Sequence, residues 1–312
     1  MKIGIDIMGG DFAPKKTIEG AILALNELSP ETKLFLFGKE EKIRENLEIN
    51  KYEHPSIKII NCSEIIEMGD HPTKSFKQKP NSSISKGFEY LANGKIDGFA
   101  SAGNTGAMFV GGYYSVKAVS GVIRPCISVM LPKKEGGWTV LLDVGANADC
   151  KADVLYQFGI LGSLFSKNIC NVKNPRVSLL NVGEEKSKGN MLAQSAYSLM
   201  EGSLDFNFVG NIESRDIFSD KTDVIICDGF TGNIVLKQAE AFYNILKEQK
   251  NNDSFIKKLN YENYGGTPIL GLNKNVVIGH GISNEIAIKN MILLTEDLAK
   301  SNLINEIYNT LN

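Results

Sequence analysis

Residues 223–237, DVIICDGFTGNIVLK, combine an apolar strand, a tight turn and the start of a helix. The apolar run ends at Asp228 and Gly229, and Phe230 then begins a second apolar pattern at helical spacing. A strand that ends at a glycine turn and leads into a helix leaves unpaired backbone N–H groups, where an anion can bind. The pattern predicts a strand-turn-helix unit, and it raises the question of why the anionic Asp228 lies at this turn.

The same alternation of short apolar runs and longer amphipathic segments extends along the chain. Runs rich in β-branched residues predict strands at KIGIDI, KLFLFG, SIKIIN, DGFASAG, CISVML, TVLLDVG, RVSLLNVG, FNFVG, DVIICDG and NVVIGHG. Helical patterns include TIEGAILALNEL, ADVLYQFGILGSLF, NMLAQSAYSLM, NIVLKQAEAFYNIL and the segment from Ser283 onward. This alternation predicts an α/β fold with a mostly parallel sheet covered by helices on both faces.

The chain length sets the expected number of domains. At 312 residues the chain is long for one hydrophobic core and short for two ordinary domains. We therefore predict a single large α/β domain over residues 1–312, with two closely packed halves as the alternative.

Charge and cysteine content narrow the class of partner and the compartment. The 34 Lys and Arg nearly balance the 36 Asp and Glu, so no global field favours nucleic acid, and no nucleic-acid partner is expected. The five cysteines form no CxxC pair, which favours a reducing, cytoplasmic location. No apolar run reaches the roughly 18 residues of a membrane span.

Four predicted strands end in loops of one kind. Each places Gly beside Asn, Thr, Ser or Lys where a helix should begin: ASAGNTGA at 100–107, DVGANAD at 143–149, NVGEEKSKGN at 181–190 and CDGFTGN at 227–233. Ligands bind at the carboxyl edge of an open parallel sheet, so four such loops predict an anion or phosphate pocket, while each alone is also an ordinary helix cap. Candidate substrate-binding residues in these loops are Asn104, Thr105, Gly106, Asn147, Asp149, Gly229, Thr231 and Asn233.

Several charged and nucleophilic side chains are further candidates. Lys186 and Lys188 can hold phosphate as point charges at the third loop, or they are two solvated lysines at a helix start. His280, at another predicted strand end, is a candidate for catalysis, with a structural histidine as the alternative. Cys227 is better interpreted as a buried strand residue than as a nucleophile, because the neighbouring carboxylate of Asp228 disfavours a thiolate.

Common cofactor patterns are missing from the sequence. No GxxxxGKS/T motif occurs, and no GxGxxG opens the first helix, so a nucleotide cofactor has no support. Asp143, Asp149 and Asp228 come without an HxxH motif or an acidic cluster at ligand spacing, so no metal site is predicted.

Taken together, the motifs resemble those of the bacterial phosphate acyltransferase family. The resemblance rests on IDIMGGDFAP, SAGNTGA, DVGANAD, NVGEEKSKGN, CDGFTGN, YGGTPILGL and VVIGHGIS, in the same order and at similar spacing. It implies a three-layer α/β/α sandwich similar to the phosphate acetyltransferase and isocitrate/isopropylmalate dehydrogenase folds, usually as a homodimer. It also implies transfer of a fatty acyl group from acyl carrier protein to inorganic phosphate, without a metal or redox cofactor. The acyl phosphate then serves a membrane glycerol-3-phosphate acyltransferase in phospholipid synthesis.

The resemblance also suggests roles for individual residues. Asp228 would handle a proton of the bound phosphate, and a carboxylate that only caps the following helix is the alternative. Lys186 or Lys188, with the Gly-Asn-Thr-Gly amides, would orient phosphate and stabilise the oxyanion. Lys79 and Ser82 partly match a basic pair that precedes a Ser-Ser dipeptide in the family, which makes them candidate contacts to phosphate or to the carrier.

Two segments are less regular than the rest. Residues 68–85 are predicted as a polar loop, either solvated or forming a basic lip over the site. Residues at about 240–264 replace a longer helical insertion of the family, and we predict a short dimerisation or membrane-facing element there. Association with the inner face of the cell membrane is thus an open alternative to a purely cytoplasmic location.

Three other functions remain open on the sequence. A phosphate acyltransferase that uses acyl-CoA would share most of the motifs. A dehydrogenase of the isopropylmalate type would need a carboxylate cluster for metal and arginines for its substrate, yet the chain has only Arg44, Arg124, Arg176 and Arg215. A noncatalytic scaffold for acyl carrier protein would use the glycine loops only as structure.

Overall fold

The computed structural model describes residues 1–249 and 253–312. The chain folds into two compact units, one formed by residues 1–117 and 261–300 and the other by residues 118–260 and 301–312. We call them the first unit and the second unit. The prediction that residues 1–312 form a single domain stays a prediction, and the alternative of two halves matches this division.

The first unit contains a six-stranded sheet in the order β3-β2-β1-β4-β11-β10. All neighbours in it are parallel except β10, which runs antiparallel to β11. The strands are β1 (Lys2–Asp6), β2 (Lys33–Gly38), β3 (Ile57–Asn61), β4 (Gly98–Ser101), β10 (Thr267–Leu270) and β11 (Asn275–Ile278). The helices are α1 (Lys15–Leu25), α2 (Glu40–Ile49), α3 (Pro72–Gln78), α4 (Ser83–Ala92), α5 (Thr105–Gly111) with a π-helical turn at Gly112–Val116, a 3₁₀ turn at Tyr261–Asn263 and α10 (Glu285–Lys300).

Helices cover both faces of this first sheet. Gly98 of β4 faces α10, because a Cβ added to it would lie 2.6 Å from Thr295. Phe99, the next residue of β4, faces α4, because its side chain fills the space beside Gly87. Successive residues of a strand point to opposite faces, so α10 and α4 lie on opposite sides of β4. The α/β/α layering predicted from the sequence and the resemblance is confirmed.

The second unit contains a five-stranded sheet in the order β5-β6-β9-β7-β8, in which only β5 is antiparallel to its neighbour. Its strands are β5 (Cys126–Pro132), β6 (Trp138–Leu142), β7 (Arg176–Asn181), β8 (Asn207–Glu213) and β9 (Val224–Ile226). Its helices are α6 (Ala152–Asn168), α7 (Met191–Met200), a 3₁₀ turn at Ser214–Asp216, α8 (Gly229–Glu248), α9 (Ser254–Lys258) and α11 (Leu303–Leu311). Gly162 brings α6 directly onto Val224 and Leu142, which closes the core over β9 and β6.

The structure corrects the prediction for residues 68–85 and describes most of the segment at about 240–264. Residues 68–85 are not a continuous loop, because α3 occupies Pro72–Gln78 and α4 begins at Ser83. The element predicted at about 240–264 comprises the end of α8, the five-residue α9 and the 3₁₀ turn, while residues 250–252 of it lie outside the described residues. Across the two described ranges no helix is both long enough and apolar enough to span a membrane.

Candidate functional site

Three of the four glycine-containing loops leave the same edge of the second unit's sheet. Strands β6, β9 and β7 are parallel neighbours, with Leu142 opposite Ile226 and Leu179 opposite Ile226. Residues 143–149, 181–190 and 227–233 therefore emerge together at the carboxyl edge. The fourth loop, at residues 100–107, belongs to the first unit.

Asp228 follows β9 and is the N-cap of α8. Its Oδ1 accepts a hydrogen bond of 2.8 Å from the backbone N–H of Thr231, and its Oδ2 accepts one of 2.9 Å from Thr231 Oγ1. The side chain is half-buried. The capping role considered for Asp228 is thus present, and each carboxylate oxygen keeps a lone pair that can face a ligand. The catalytic role stays a prediction.

A second carboxylate, Asp143, organises the loop beside Asp228. Asp143 is fully buried and accepts hydrogen bonds from the backbone N–H groups of Ile127 and Asn147 at 3.0 and 2.6 Å, and from Asn147 Nδ2 at 3.0 Å. The Asn147 carbonyl then accepts a bond of 2.8 Å from Gly229 N, at the first residue of α8. Burial raises the pKa of Asp143, although these hydrogen bonds oppose the rise. The predicted binding residues Asn147 and Gly229 are therefore bonded directly to each other. Asp143, which the sequence singled out only as a possible metal ligand, holds Asn147 in place.

A cavity of about 490 Å³ opens beside Asp228 within the second unit. Its polar lining consists of Asn181, Asn190, Ser214, Asp228 and Thr231, together with the buried thiol of Cys227. Its apolar lining comes from Leu155, Leu179, Leu180, Val182, Leu192 and Val235, with Ala193 and Gly189 beside them. Val182 belongs to the loop at 181–190, but no sequence motif marks the other apolar residues, because they come from α6, β7, α7 and α8 and meet only in the folded unit.

Cys227 is buried, as predicted, with 4% of its surface exposed. Burial raises the pKa of the thiol well above its ordinary value, and the charges of Asp228 and Asp143 raise it further. A thiol in these surroundings stays protonated at neutral pH and is a poor nucleophile.

The two loop lysines have different surroundings. The Lys186 ammonium pairs with Glu201 and lies 5.7 Å from the centre of the Tyr197 ring, and both charged side chains are more than half exposed. Lys188 is exposed and has no ion-pair partner in the part of the chain that the structure describes. Because Gly189 and Asn190 line the cavity, Lys188 is next in sequence to its rim.

The remaining predicted residues of the second unit lie on its surface. Asp149 is exposed, and its backbone carbonyl accepts a hydrogen bond of 2.9 Å from Arg124 Nη1. Asn233 is exposed near Gly145, whose added Cβ would lie 3.5 Å from Asn233 Oδ1. Neither side chain lines the cavity.

The predicted residues of the first unit have structural hydrogen bonds. Asn104, 5% exposed, caps α5 through Ala107 N, and its Nδ2 donates to three backbone carbonyls between residues 67 and 70. Ser82 caps α4, and Lys79 donates to the carbonyl of Ile65 and pairs with Asp70 at 2.6 Å. Thr105 is exposed at the start of α5, and Gly106 packs on Pro72 with an added Cβ at 2.4 Å.

His280 also belongs to the first unit, whereas Asp228 and Lys186 belong to the second. Its ring lies 5.3 Å from the ring of Tyr261, and its carbonyl accepts hydrogen bonds from both the N–H and the hydroxyl of Ser283. Asp6, in the opening motif, is a buried carboxylate that the sequence analysis missed as an individual residue. It accepts a bond of 2.7 Å from Ser101 Oγ, and burial raises its pKa.

Within residues 1–249 and 253–312, no group of three or more His, Cys, Asp or Glu side chains is placed to hold a metal ion.

Comparisons with known proteins cover nearly the whole chain. The family model described as "Fatty acid synthesis protein" matches residues 1–306. The phosphate acyltransferase of Halothermothrix orenii is 42% identical over 100% of this chain and 99% of its own length. That of Dictyoglomus thermophilum is 39% identical over 98% of this chain and 96% of its own length. Among solved structures, a phosphotransacetylase from Streptococcus pyogenes has a TM-score of 0.69 at 17% identity, covering 96% of this chain and 94% of that one, a likeness that concerns the fold.

Proposed function

We propose, from the premise that this chain belongs to the phosphate acyltransferase family, that it transfers a fatty acyl group from acyl-acyl carrier protein to inorganic phosphate. The observation that carries the proposal is the position of Asp228, at the carboxyl edge of the sheet and in the wall of a largely apolar cavity. The carboxylate of Asp228, which could accept a proton, lies beside a cavity whose apolar lining suits a hydrocarbon chain. The product would be an acyl phosphate for phospholipid synthesis.

The reaction balances without a covalent enzyme intermediate. An oxygen of hydrogen phosphate attacks the thioester carbonyl, the new C–O bond forms, and the C–S bond breaks with its electron pair passing to sulfur. Asp228 accepts the phosphate proton and returns it to the thiolate of the carrier. A nucleophilic cysteine is not needed, which agrees with the raised pKa of the buried Cys227.

The protein's other contributions are orientation and electrostatics. The start of α8 meets the cavity at Asp228, so the positive end of this helix dipole would favour negative charge that develops on the reacting groups there. Lys188 is the better candidate to hold phosphate, because Lys186 is already paired with Glu201. We expect orientation of phosphate against the carbonyl to supply the larger part of the rate enhancement.

The proposed partners follow from the same reaction. The acidic carrier protein would approach through exposed lysines such as Lys74 and Lys77 of α3, and its association rate should fall as salt rises. A homodimer is proposed because Phe230, Ile234 and Ile245 leave apolar side chains at least half exposed along α8. A membrane surface and a glycerol-3-phosphate acyltransferase would receive the acyl phosphate. Sedimentation and binding to anionic liposomes test the dimer and the membrane surface separately.

The test of the reaction is trapping of acyl phosphate with hydroxylamine. Wild-type protein is incubated with palmitoyl-acyl carrier protein or with palmitoyl-CoA, each with and without phosphate. Phosphate-dependent hydroxamate from the carrier donor supports the proposal. Product only from the CoA donor would replace the carrier with CoA, and no product from either donor would overturn the assignment of an acyl transfer to phosphate.

A further inference from the structure

The cavity beside Asp228 has a mostly apolar lining that contains a single charged side chain among the described residues. Asp228 and Thr231 lie at the start of α8, and Val235 follows one turn later on the same helix. Leu179, Leu180 and Val182 form the wall along the end of β7, and none of the described residues that line the cavity is Lys or Arg. The single charge of the lining is the carboxylate of Asp228. An anion such as phosphate would gain no cationic partner inside, whereas hydrocarbon would be well accommodated.

The dimensions of the cavity suit a small organic ligand. Its volume of about 490 Å³ lies inside the range of about 300 to 1,000 Å³ found for ligand pockets. Each buried methylene group of a ligand strengthens binding about fourfold, so a chain of several methylenes is held firmly by such walls. The exposed side chain of Val182, with 80% of its surface accessible, extends the apolar wall toward solvent.

We infer that this cavity binds the acyl chain of the donor, with the thioester end at Asp228 and Thr231 and the methylene chain against Leu155, Leu179 and Leu192. The inference rests on the proposed function and adds to it a binding site for the chain. It also assigns to α7 a role in selecting the length of the acyl group, because α7 supplies both a small and a large side chain to the wall.

Ala193 and Leu192 are the side chains that would determine this length. Ala193 is fixed in the first turn of α7 by a hydrogen bond of 2.9 Å from its N–H to Asn190 Oδ1, and it contributes only a methyl group to the wall. A larger side chain at this position would occupy cavity space with little change in helix propensity if the new residue is Leu. Leu192 is half-buried in the wall, so its truncation would enlarge the cavity.

The experiment compares acyl-carrier-protein donors from octanoyl to stearoyl with wild type, Ala193→Leu, Leu192→Ala and Ser195→Leu. Ser195 is exposed on the same helix and does not line the cavity, so Ser195→Leu controls for an added leucine on α7. We expect Ala193→Leu to lower kcat/KM for palmitoyl and stearoyl donors about tenfold, the equivalent of about two buried methylenes, and to leave the octanoyl donor nearly unaffected. Leu192→Ala should shift the preference toward longer chains, and Ser195→Leu should keep the wild-type profile.

A direct binding measurement separates failure of this inference from failure of the proposed function. A pyrene-labelled long-chain fatty acid is titrated into the same four proteins. If Ala193→Leu binds the labelled acid more weakly than wild type and Ser195→Leu does not, the cavity is supported as an acyl site. This holds even if no acyl phosphate forms. If acyl phosphate forms with the wild-type length profile in both Ala193→Leu and Leu192→Ala, or if the labelled acid binds all variants equally, the cavity is not the acyl site.

Discussion

Both oxygens of Asp228 accept hydrogen bonds from one residue, Thr231, at 2.8 Å from its N–H and 2.9 Å from its hydroxyl. The carboxylate is therefore held at a fixed orientation by the helix that it caps. A cap and a proton acceptor are compatible roles, because an oriented carboxylate with a free lone pair is what proton transfer needs. The question raised by the turn after residue 227 thus has a structural answer, and its chemical part can be tested.

Asp228→Asn should separate the two roles. Asn is about as good an N-cap as Asp, and its Oδ1 can still accept from Thr231 N, so the free energy of unfolding should change by less than about 1 kcal/mol. Asn cannot accept the phosphate proton, so turnover should fall at least about 100-fold. Urea unfolding and hydroxylamine trapping measure the two quantities on the same preparation.

Asp253→Asn is the matched control for this substitution. Asp253 also caps a helix, α9, through the N–H groups of Phe255 and Ile256, and it is distant in sequence from the cavity residues. Asp253→Asn should leave turnover at the wild-type level. Full activity of Asp228→Asn would reduce Asp228 to a helix cap.

Lys188 and Lys186 should differ in their effect on phosphate affinity. We expect Lys188→Met to raise the KM for phosphate about tenfold, the size of one lost hydrogen bond to a charged group. Lys186→Met should raise it only about twofold, because the Lys186 ammonium is engaged with Glu201. Steady-state kinetics at varied phosphate measure both, with Glu201→Gln as the control. A larger effect at Lys186 would mean that its pair with Glu201 opens when phosphate binds.

Only five residues separate Asp143 from Asp149, yet replacing them should affect the free energy of unfolding very differently. Asp143→Ala leaves the buried N–H of Ile127 and the partly buried N–H of Asn147 without their acceptor, and we expect a loss of about 3 kcal/mol in the free energy of unfolding. Asp149 is exposed, so Asp149→Ala should change it by less than about 0.5 kcal/mol. Equal losses in the two variants would contradict the role given to Asp143 in holding the loop.

The spacing of apolar residues predicted most of the fold, because the periods of strands and helices are visible within short segments of sequence. The junction at residues 223–237 became β9, a tight turn and α8, with Asp228 at the cap. Strand β10 was missed as a strand, since Thr267–Leu270 is short and contains Pro268, a residue that argues against a strand. Helix α3 was missed because its sequence is polar, and its position depends on Pro72 packing against Gly106.

The candidate site was predicted less completely than the fold. Motifs identified the loops, but motifs do not show which side chains meet. Asn104, a predicted substrate-binding residue, donates to three backbone carbonyls, and Lys186, a predicted phosphate ligand or solvated lysine, is paired with Glu201. The sequence showed neither contact, and both binding roles stay predictions. The apolar cavity wall requires Leu155, Leu179 and Leu192 from three separate elements, so no local pattern could identify it.

Gly232→Ala should destabilise the second unit although alanine favours helices. Alanine gains about 1 kcal/mol over glycine in a helix interior. A Cβ at Gly232, however, would lie 1.9 Å from the carbonyl oxygen of Asp143, a backbone atom that cannot move away cheaply. We expect a net loss of more than about 2 kcal/mol in urea unfolding. Gly69→Ala is the control, because nothing lies within 4 Å of a Cβ at Gly69, and a similar loss in both variants would contradict the close contact of α8 with the end of β6.

Asp223 should make the second unit sensitive to acid. Burial by itself would raise the pKa of Asp223, but hydrogen bonds from Arg176 and Lys133 outweigh it and lower the pKa to about 2. Because the folded-state pKa is lower than the unfolded value of 3.8, the folded chain binds fewer protons than the unfolded chain between these two values. The stabilisation, about 2 kcal/mol, is then complete above pH 3.8 and is lost as the pH falls toward 2.

Asp223→Asn should remove this contribution. At pH 7 the free energy of unfolding of the variant should be about 2 kcal/mol lower than that of wild type, and this difference should shrink as the pH is lowered from about 4 to about 2. Glu135→Gln, in the exposed turn between β5 and β6, removes one negative charge from the same unit and should leave the acid transition in place. Urea unfolding at a series of pH values measures all three proteins. Lys133 is buried between Asp223 and Asp220. If the free energies of unfolding of wild type and Asp223→Asn differ by the same amount at every pH, packing around Lys133, and not the charge of Asp223, stabilises this end of the sheet.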